Sequence, residues 1–307
     1  MTTLLTRLSL LMALALTASL ATSIAPATSP TAWLSPERTA PATSPNASTA
    51  PDFHPPMSLP DICDADNLTF KPGERIVYKI YYNWNFVWLP AAEVTFLVHD
   101  LPNYYHVMVR GETYSSYEWF YKAAYNYESY LDKETLLPNI HIKEVKEKTY
   151  SRYDRTTFYQ KEGRAVSERG KTRDDLTEKT IPLEGCMHDL ISIVYYARNL
   201  EYDEMKLNQE IPIEILMDQE VYPLNIKYLG PEEDKKVKGQ GRYRTQKFSP
   251  QLIAGEVFKE GDEMQIWVSD DENKMPVLIE SPVSVGSIKA VLKSYEGLRY
   301  PMTAKIE

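Results

Sequence analysis

Asp189 and Ser192 stand three residues apart, and Arg198 follows six residues later. A carboxylate, a hydroxyl and a guanidinium at helical spacing can form a buried polar network. They could also serve catalysis if a second acid met them. Glu74 and Asp270 are the acids that could pair with Asp189. Paired carboxylates are the equipment of glycoside hydrolysis, but their separation in space decides that chemistry. Ser269-Asp270-Asp271-Glu272-Asn273 is the densest run of oxygen ligands and a candidate calcium loop. It lacks the EF-hand spacing, and Asp and Asn also stabilise turns through their own side chains. The simpler reading is a hairpin tip between strands at 264–268 and 276–280. The five histidines, His54, His99, His106, His141 and His188, form no close ligand pair. No phosphate-binding loop, nucleophile elbow or S-x-x-K motif occurs. The motifs therefore assign no catalytic residue, no metal and no cofactor.

Aromatic residues are the second candidate for function. The chain has 22 tyrosines, and those from Tyr114 to Tyr130 crowd around Trp119. Trp84, Phe86 and Trp88 form another group near a turn. With Trp267 they make a candidate patch for a glycan or an acyl chain. The simpler reading is β-propensity, since Tyr and Trp favour pleated, half-buried positions.

The elements that would position these residues are mostly strands. Ile76, Tyr78, Ile80 and Tyr82 alternate with polar residues, as do Val94, Phe96 and Val98, and Tyr105, Val107 and Val109. Ile140 and Ile142, Ile211 to Ile215, Tyr222 to Tyr228, Met264 to Val268 and Ile288 to Leu292 repeat the pattern. Period two marks half-buried antiparallel strands. Turn signals such as Pro72-Gly73 and Glu162-Gly163 separate the runs. The expected fold class is mainly β, a curved antiparallel meander closing as a barrel, half-barrel or sandwich. One segment breaks the period. Met187, Leu190, Ile191, Val194 and Ala197 predict an amphipathic helix over about 186–200, packed on the sheet. A shorter helical piece is expected over 116–121.

The flanks set the compartment. Arg7, the apolar run Leu8–Leu20 and small residues at Ser19 and Ala21 read as a secretory signal peptide over 1–21. That run is shorter than the roughly 20 apolar residues of a membrane span, and no later segment is more apolar. No transmembrane segment is expected in the mature chain. Residues 22–60, rich in Ala, Thr, Ser and Pro, read as a disordered spacer, and 61–307 as a single β-rich domain. The expected location is the periplasm, the outer membrane or the cell exterior. A formal charge of −9 argues against nucleic acid as a partner. In an oxidising compartment the two cysteines, Cys63 and Cys186, predict a disulfide. Loop-closure entropy makes such a bond worth about 4–5 kcal/mol.

Several blocks resemble a family. Phe70-Lys71-Pro72-Gly73-Glu74 with Tyr81-Tyr82-Asn83-Trp84, then Tyr127-Glu128-Ser129-Tyr130-Leu131-Asp132, are the first two. Asp189-Leu190-Ile191-Ser192 with Tyr195-Tyr196-Ala197-Arg198 is the third, and Ile266-Trp267-Val268-Ser269-Asp270-Asp271 with Met275-Pro276-Val277 the fourth. In this order they resemble domain-of-unknown-function family 3108, over roughly 70–295. The charged stretch 231–241 departs from the pattern. The resemblance implies an exported, β-rich bacterial protein and no reaction. Two classes of function stay open. The first is a non-enzymatic envelope protein that binds a lipid, a glycan or a protein partner. The alternative is an envelope hydrolase that acts on a glycan or peptide crosslink through acidic residues.

Overall fold

The computed structural model describes residue 63 and residues 65–84, 87–117, 123–147, 150–252, 263–283 and 286–306. The signal peptide and the spacer expected from the sequence lie outside the described residues. Among the described residues, fifteen strands form one sheet. The first eight are β1 (Arg75–Trp84), β2 (Val87–Asp100), β3 (Tyr104–Thr113), β4 (Ala123–Asp132), β5 (Pro138–Glu147), β6 (Ser151–Tyr159), β7 (Arg164–Gly170) and β8 (Thr177–Pro182). After β9 (Met187–His188) and one helix, α1 (Ser192–Arg198), come β10 (Glu210–Met217), β11 (Glu220–Val237), β12 (Gly241–Pro250), β13 (Gln265–Ser269), β14 (Pro276–Pro282) and β15 (Ser287–Glu296).

The strand order is β8-β7-β6-β5-β4-β3-β2-β1-β15-β14-β13-β12-β11-β10-β9. All pairings are antiparallel except β9 with β10. β8 and β9 are therefore the two ends of the sheet. They are also chain neighbours, since only residues 183–186 separate Pro182 from Met187. So short a link reaches at most about 18 Å, so the sheet must curl until its ends meet. Phe158, Ala165, Ile181 and Leu183 from one end pack with Met187 and Leu216 from the other. The expected curved meander is thus a barrel whose seam is closed by side chains.

The helix is shorter than its sequence pattern. Met187 and His188 pair with Glu214 and Ile215, so the segment enters the fold as a strand. Helical turns begin at Leu190, and α1 is seven residues long. Asp189 sets this start. Its Oδ1 accepts the Ile191 and Ser192 amides at 2.8 and 2.6 Å, and Ser192 Oγ accepts the Asp189 amide at 2.8 Å. This reciprocal cap satisfies donors that a helix start leaves unpaired. At the other end Asn199 donates its side-chain amide to Tyr195 O at 2.9 Å. A helix this short has no stability of its own and depends on its surroundings. At 115–117 a single 3₁₀ turn stands where the second helical piece was expected, and the rest of that piece lies outside the described residues.

Cys63 and Cys186 are joined as expected, with Cα atoms 5.6 Å apart. Cys186 precedes β9, so the bond ties the start of the domain to the seam rather than to the helix.

Candidate functional site: an apolar cavity beside a polar seam

Alternate residues of β1 and of the second half of β2 point into the barrel, where period two predicts an apolar face. Ile76, Tyr78 and Ile80, with Val94 and Phe96, form one wall of a cavity of about 310 Å³. Facing them, β10 to β15 supply Ile213, Ile226, Phe248, Ile266, Ile279 and Ala290. Leu190, Ile193, Val194 and Ala197, spaced along one stripe of α1 and its first turn, form the floor. Many of these apolar side chains, among them Ile193, Val194, Ile213, Ile266 and Ala290, are only half-buried. They face the cavity instead of interlocking, although close packing is the norm in protein interiors. Polar groups on the wall are bonded to the protein. Tyr78 donates to Pro276 O at 2.8 Å, Tyr202 to Ala197 O at 2.6 Å and Ser281 to Pro282 O at 3.0 Å.

The opposite side of the barrel is polar. Lys143 on β5, Asp154 and Thr156 on β6, and Ser167 and Arg169 on β7 surround a cleft of about 20 Å³ with Asp218 and Gln219. These last two residues form the two-residue turn between β10 and β11, both at positive φ (51° and 70°). Neither is glycine, so the conformation is strained. The seam holds it. Asp218 accepts Lys143 Nζ at 2.8 Å and Arg169 Nη2 at 3.0 Å, and Gln219 donates to Ser167 Oγ at 3.2 Å. Arg169 also grips Asp154 with two contacts, at 2.6 and 3.2 Å.

The sequence offered Asp189, Ser192 and Arg198 as one polar group, with Ser269, Asp270 and Asp271 in a separate acidic run. The structure divides that group. Asp189 and Ser192 cap the start of α1. There Asp189 Oδ2 accepts Ser129 Oγ at 2.5 Å and lies 3.2 Å from His141 Nδ1. Burial pushes the Asp189 carboxyl up, but His141, Ser129 and the Ser192 amide outweigh it and hold it below the usual range. Burial holds the neighbouring His188 down at about 4, against the opposing pull of Asp189. Its Nδ1 lies 3.2 Å from Ser192 Oγ. Asp189 and Ser192 are fully buried, and the Ser192 hydroxyl is engaged by backbone, so neither is presented to a substrate.

Arg198 sits at the far end of α1, about 9 Å beyond Ser192 along the helix axis. It forms a two-pronged ion pair with Glu74 at 2.6 and 2.8 Å, and donates to Asn273 O and Thr69 O. Glu74 is thus committed to Arg198 rather than facing Asp189. The acidic run is the tip of the β13–β14 hairpin, as the simpler reading held. Asp271 accepts from Ser269 Oγ and from the amides of Asn273 and Ala304, and Asp270 accepts Gln246 Nε2 at 2.9 Å.

The aromatic patch divides too. Trp88 lies half-buried on the outer face of β2 with Lys289 Nζ 4.4 Å from its ring. Trp267 is buried on the outer face of β13, donates to Glu232 at 2.6 Å and carries Lys235 at 3.5 Å. Three strands separate β2 from β13, which puts these rings about 19 Å apart in the sheet. Trp84 lies in β1, and Phe86 and Trp119 fall outside the described residues. Half of the tyrosine crowd lies in β4, where Tyr125 and Tyr127 point inward and are fully buried.

The sequence model for a protein of unknown function, DUF3108, matches residues 77–293, more than half of the chain. The chain belongs to the DUF3108 family. The blocks at 127–132, 189–198 and 266–277 that suggested this are β4, the capped helix and the β13–β14 hairpin, three neighbours of the barrel interior. Among solved structures, the DUF3108 chain is similar to a β-barrel-like protein of domain of unknown function DUF1849 from Brucella abortus. The identity is 11%, the match covers 74% of this chain and 99% of that one, and the TM-score is 0.49. No curated protein matches the chain. Among the described residues, no helix is long and apolar enough to cross a membrane.

Proposed function

We propose that this DUF3108 protein is a non-enzymatic binding protein of the bacterial envelope that holds the acyl chain of a lipid in its barrel cavity. The cavity carries the reading. Its volume lies at the lower end of the range for ligand sites, and its walls are aliphatic and aromatic with few polar groups. A hydrocarbon chain would complete the packing that the half-buried side chains lack. Each methylene taken from water contributes about 0.8 kcal/mol, so about ten suffice for micromolar affinity before the cost of immobilising the chain. A glycan fits this wall poorly, because its hydroxyls would find few partners there. The secretory signature at 1–21 and the Cys63–Cys186 bond support a place in the periplasm or at the outer membrane.

The test is titration of the purified chain with an environment-sensitive fluorescent fatty acid. Ala290 stands between Ile80 and Ile279 in the same cavity wall, so Ala290→Phe projects a ring into the space. The wild type should bind with micromolar or tighter affinity, and Ala290→Phe should weaken this by at least about tenfold. Absence of binding by the wild type, or equal binding by a folded Ala290→Phe, overturns the reading.

A further inference from the structure

The cavity has a sealed end. Tyr78, Arg198 and Tyr202 line it there, and all three are buried. Their polar groups bond to the protein. Arg198 grips Glu74 and donates to Asn273 O and Thr69 O, while the two tyrosines donate to Pro276 O and Ala197 O. At the other end Leu224 and Pro250 are half-buried and Gln251 is exposed. The walls between are even in depth. Along β1 they present Ile76, Tyr78 and Ile80, and along β13 and its approach Met264, Ile266 and Val268. At about 3.3 Å per residue each run is about 13 Å long. Val268 belongs to the sealed end, since it stands opposite Pro276, whose carbonyl holds Tyr78.

We propose that the cavity takes one acyl chain of about ten carbons, inserted methyl end first, with its headgroup left in water. The inference rests on the acyl-chain reading and names the class of lipid, a medium-chain amphiphile with a single tail. Depth sets the length. Carbon–carbon bonds of about 1.5 Å at tetrahedral angles advance an extended chain by about 1.3 Å per carbon, so about ten carbons span about 13 Å. Volume agrees. A methylene takes about the space of a water molecule, roughly 30 Å³, so a cavity of about 310 Å³ holds about ten and has no room for a second tail. The sealed end sets the direction. A carboxylate pushed there would lose its water and meet no unpaired cation, because Glu74 already neutralises Arg198. A methyl group makes no such demand.

The experiment is calorimetric titration of the purified chain with straight-chain fatty acids from hexanoate to hexadecanoate, each below its micelle concentration. Affinity should rise about fourfold per methylene up to about decanoate, then gain less than about twofold in total beyond dodecanoate. Decanedioate, with a carboxylate at both ends, should bind at least about a hundredfold more weakly than decanoate. Decanoyl glycerol, altered only at the head, should bind within about twofold of decanoate. Val268→Phe should move the plateau to chains shorter by about two carbons, and Val268→Leu by about one should the ring impair folding. Affinity that climbs steadily to hexadecanoate, or a plateau unmoved in the folded Val268 variants, overturns the length. Decanedioate binding as tightly as decanoate overturns the direction. Failure of every acid to bind overturns the cavity reading itself.

Discussion

The two sides of this barrel are built from the same kind of strand yet filled in opposite ways. Around β10 to β15 and β1–β2, aliphatic side chains line a cavity that they leave open. Around β5 to β7, charged and hydroxyl side chains fill the interior until only a cleft remains. The helix α1 separates them, with its aliphatic stripe on the cavity and Asp189 turned to Ser129 and His141. The difference teaches where rigidity and capacity lie. Ion pairs and hydrogen bonds fix directions and so lock the seam. An apolar wall has no directional demand, so it can leave space for a ligand.

The largest expected effect breaks the anchor at the end of the helix. Arg198→Met leaves the Glu74 carboxylate buried without its counter-charge and should cost about 3–5 kcal/mol. Urea unfolding with the disulfide intact measures it, and adding Glu74→Leu should restore most of the loss.

Acidification comes next. His188 titrates at about 4 in the folded chain, below its ordinary value of 6.5. Between those values the unfolded chain binds a proton that the folded chain does not, so stability falls as pH falls through this window. The full contribution is about 3 kcal/mol and is exhausted below about pH 4. His188→Gln should flatten this part of the stability–pH curve. The depressed Asp189 carboxyl acts in a lower window, with its contribution lost as pH falls below the ordinary aspartate range.

At the seam, Asp218→Asn keeps a residue that tolerates the left-handed turn but removes the negative charge shared by Lys143 and Arg169. A loss of about 2 kcal/mol is expected. The cavity wall should show the smallest effect. Ile213→Ala removes a side chain already half-exposed to the void, so it should cost about 1 kcal/mol, against about 2–5 for a close-packed core residue. Equal costs at Asp218 and Ile213 with bound lipid absent would erase the distinction between the two sides.

The same distinction explains what could be read in the sequence. β1, β2, β3, β5, β10, β11, β13 and β15 announce themselves because one face is apolar and the other polar. β6, β7 and β12 do not, because their buried positions include Asp154, Thr156, Ser167, Thr245 and Gln246. Period two is present there in burial but absent in hydrophobicity. β4 hides differently, with Ser129 turned inward and Tyr130 outward among its tyrosines. The helix was overextended by its apolar spacing, since Met187 belongs to a strand and packs across the seam.

Sequence alone determined the β class, the pairing of Cys63 with Cys186 and the family. All of these follow from residue type, composition or short spacing. Only the tertiary structure decided that Glu74 belongs to Arg198, 124 residues away, and not to Asp189. It alone decided that Asp218 holds the seam and that a cavity opens between α1 and the strands. A void is a property of walls contributed by distant segments, and an ion pair across a closed sheet depends on curvature. Neither is encoded at any single stretch of chain.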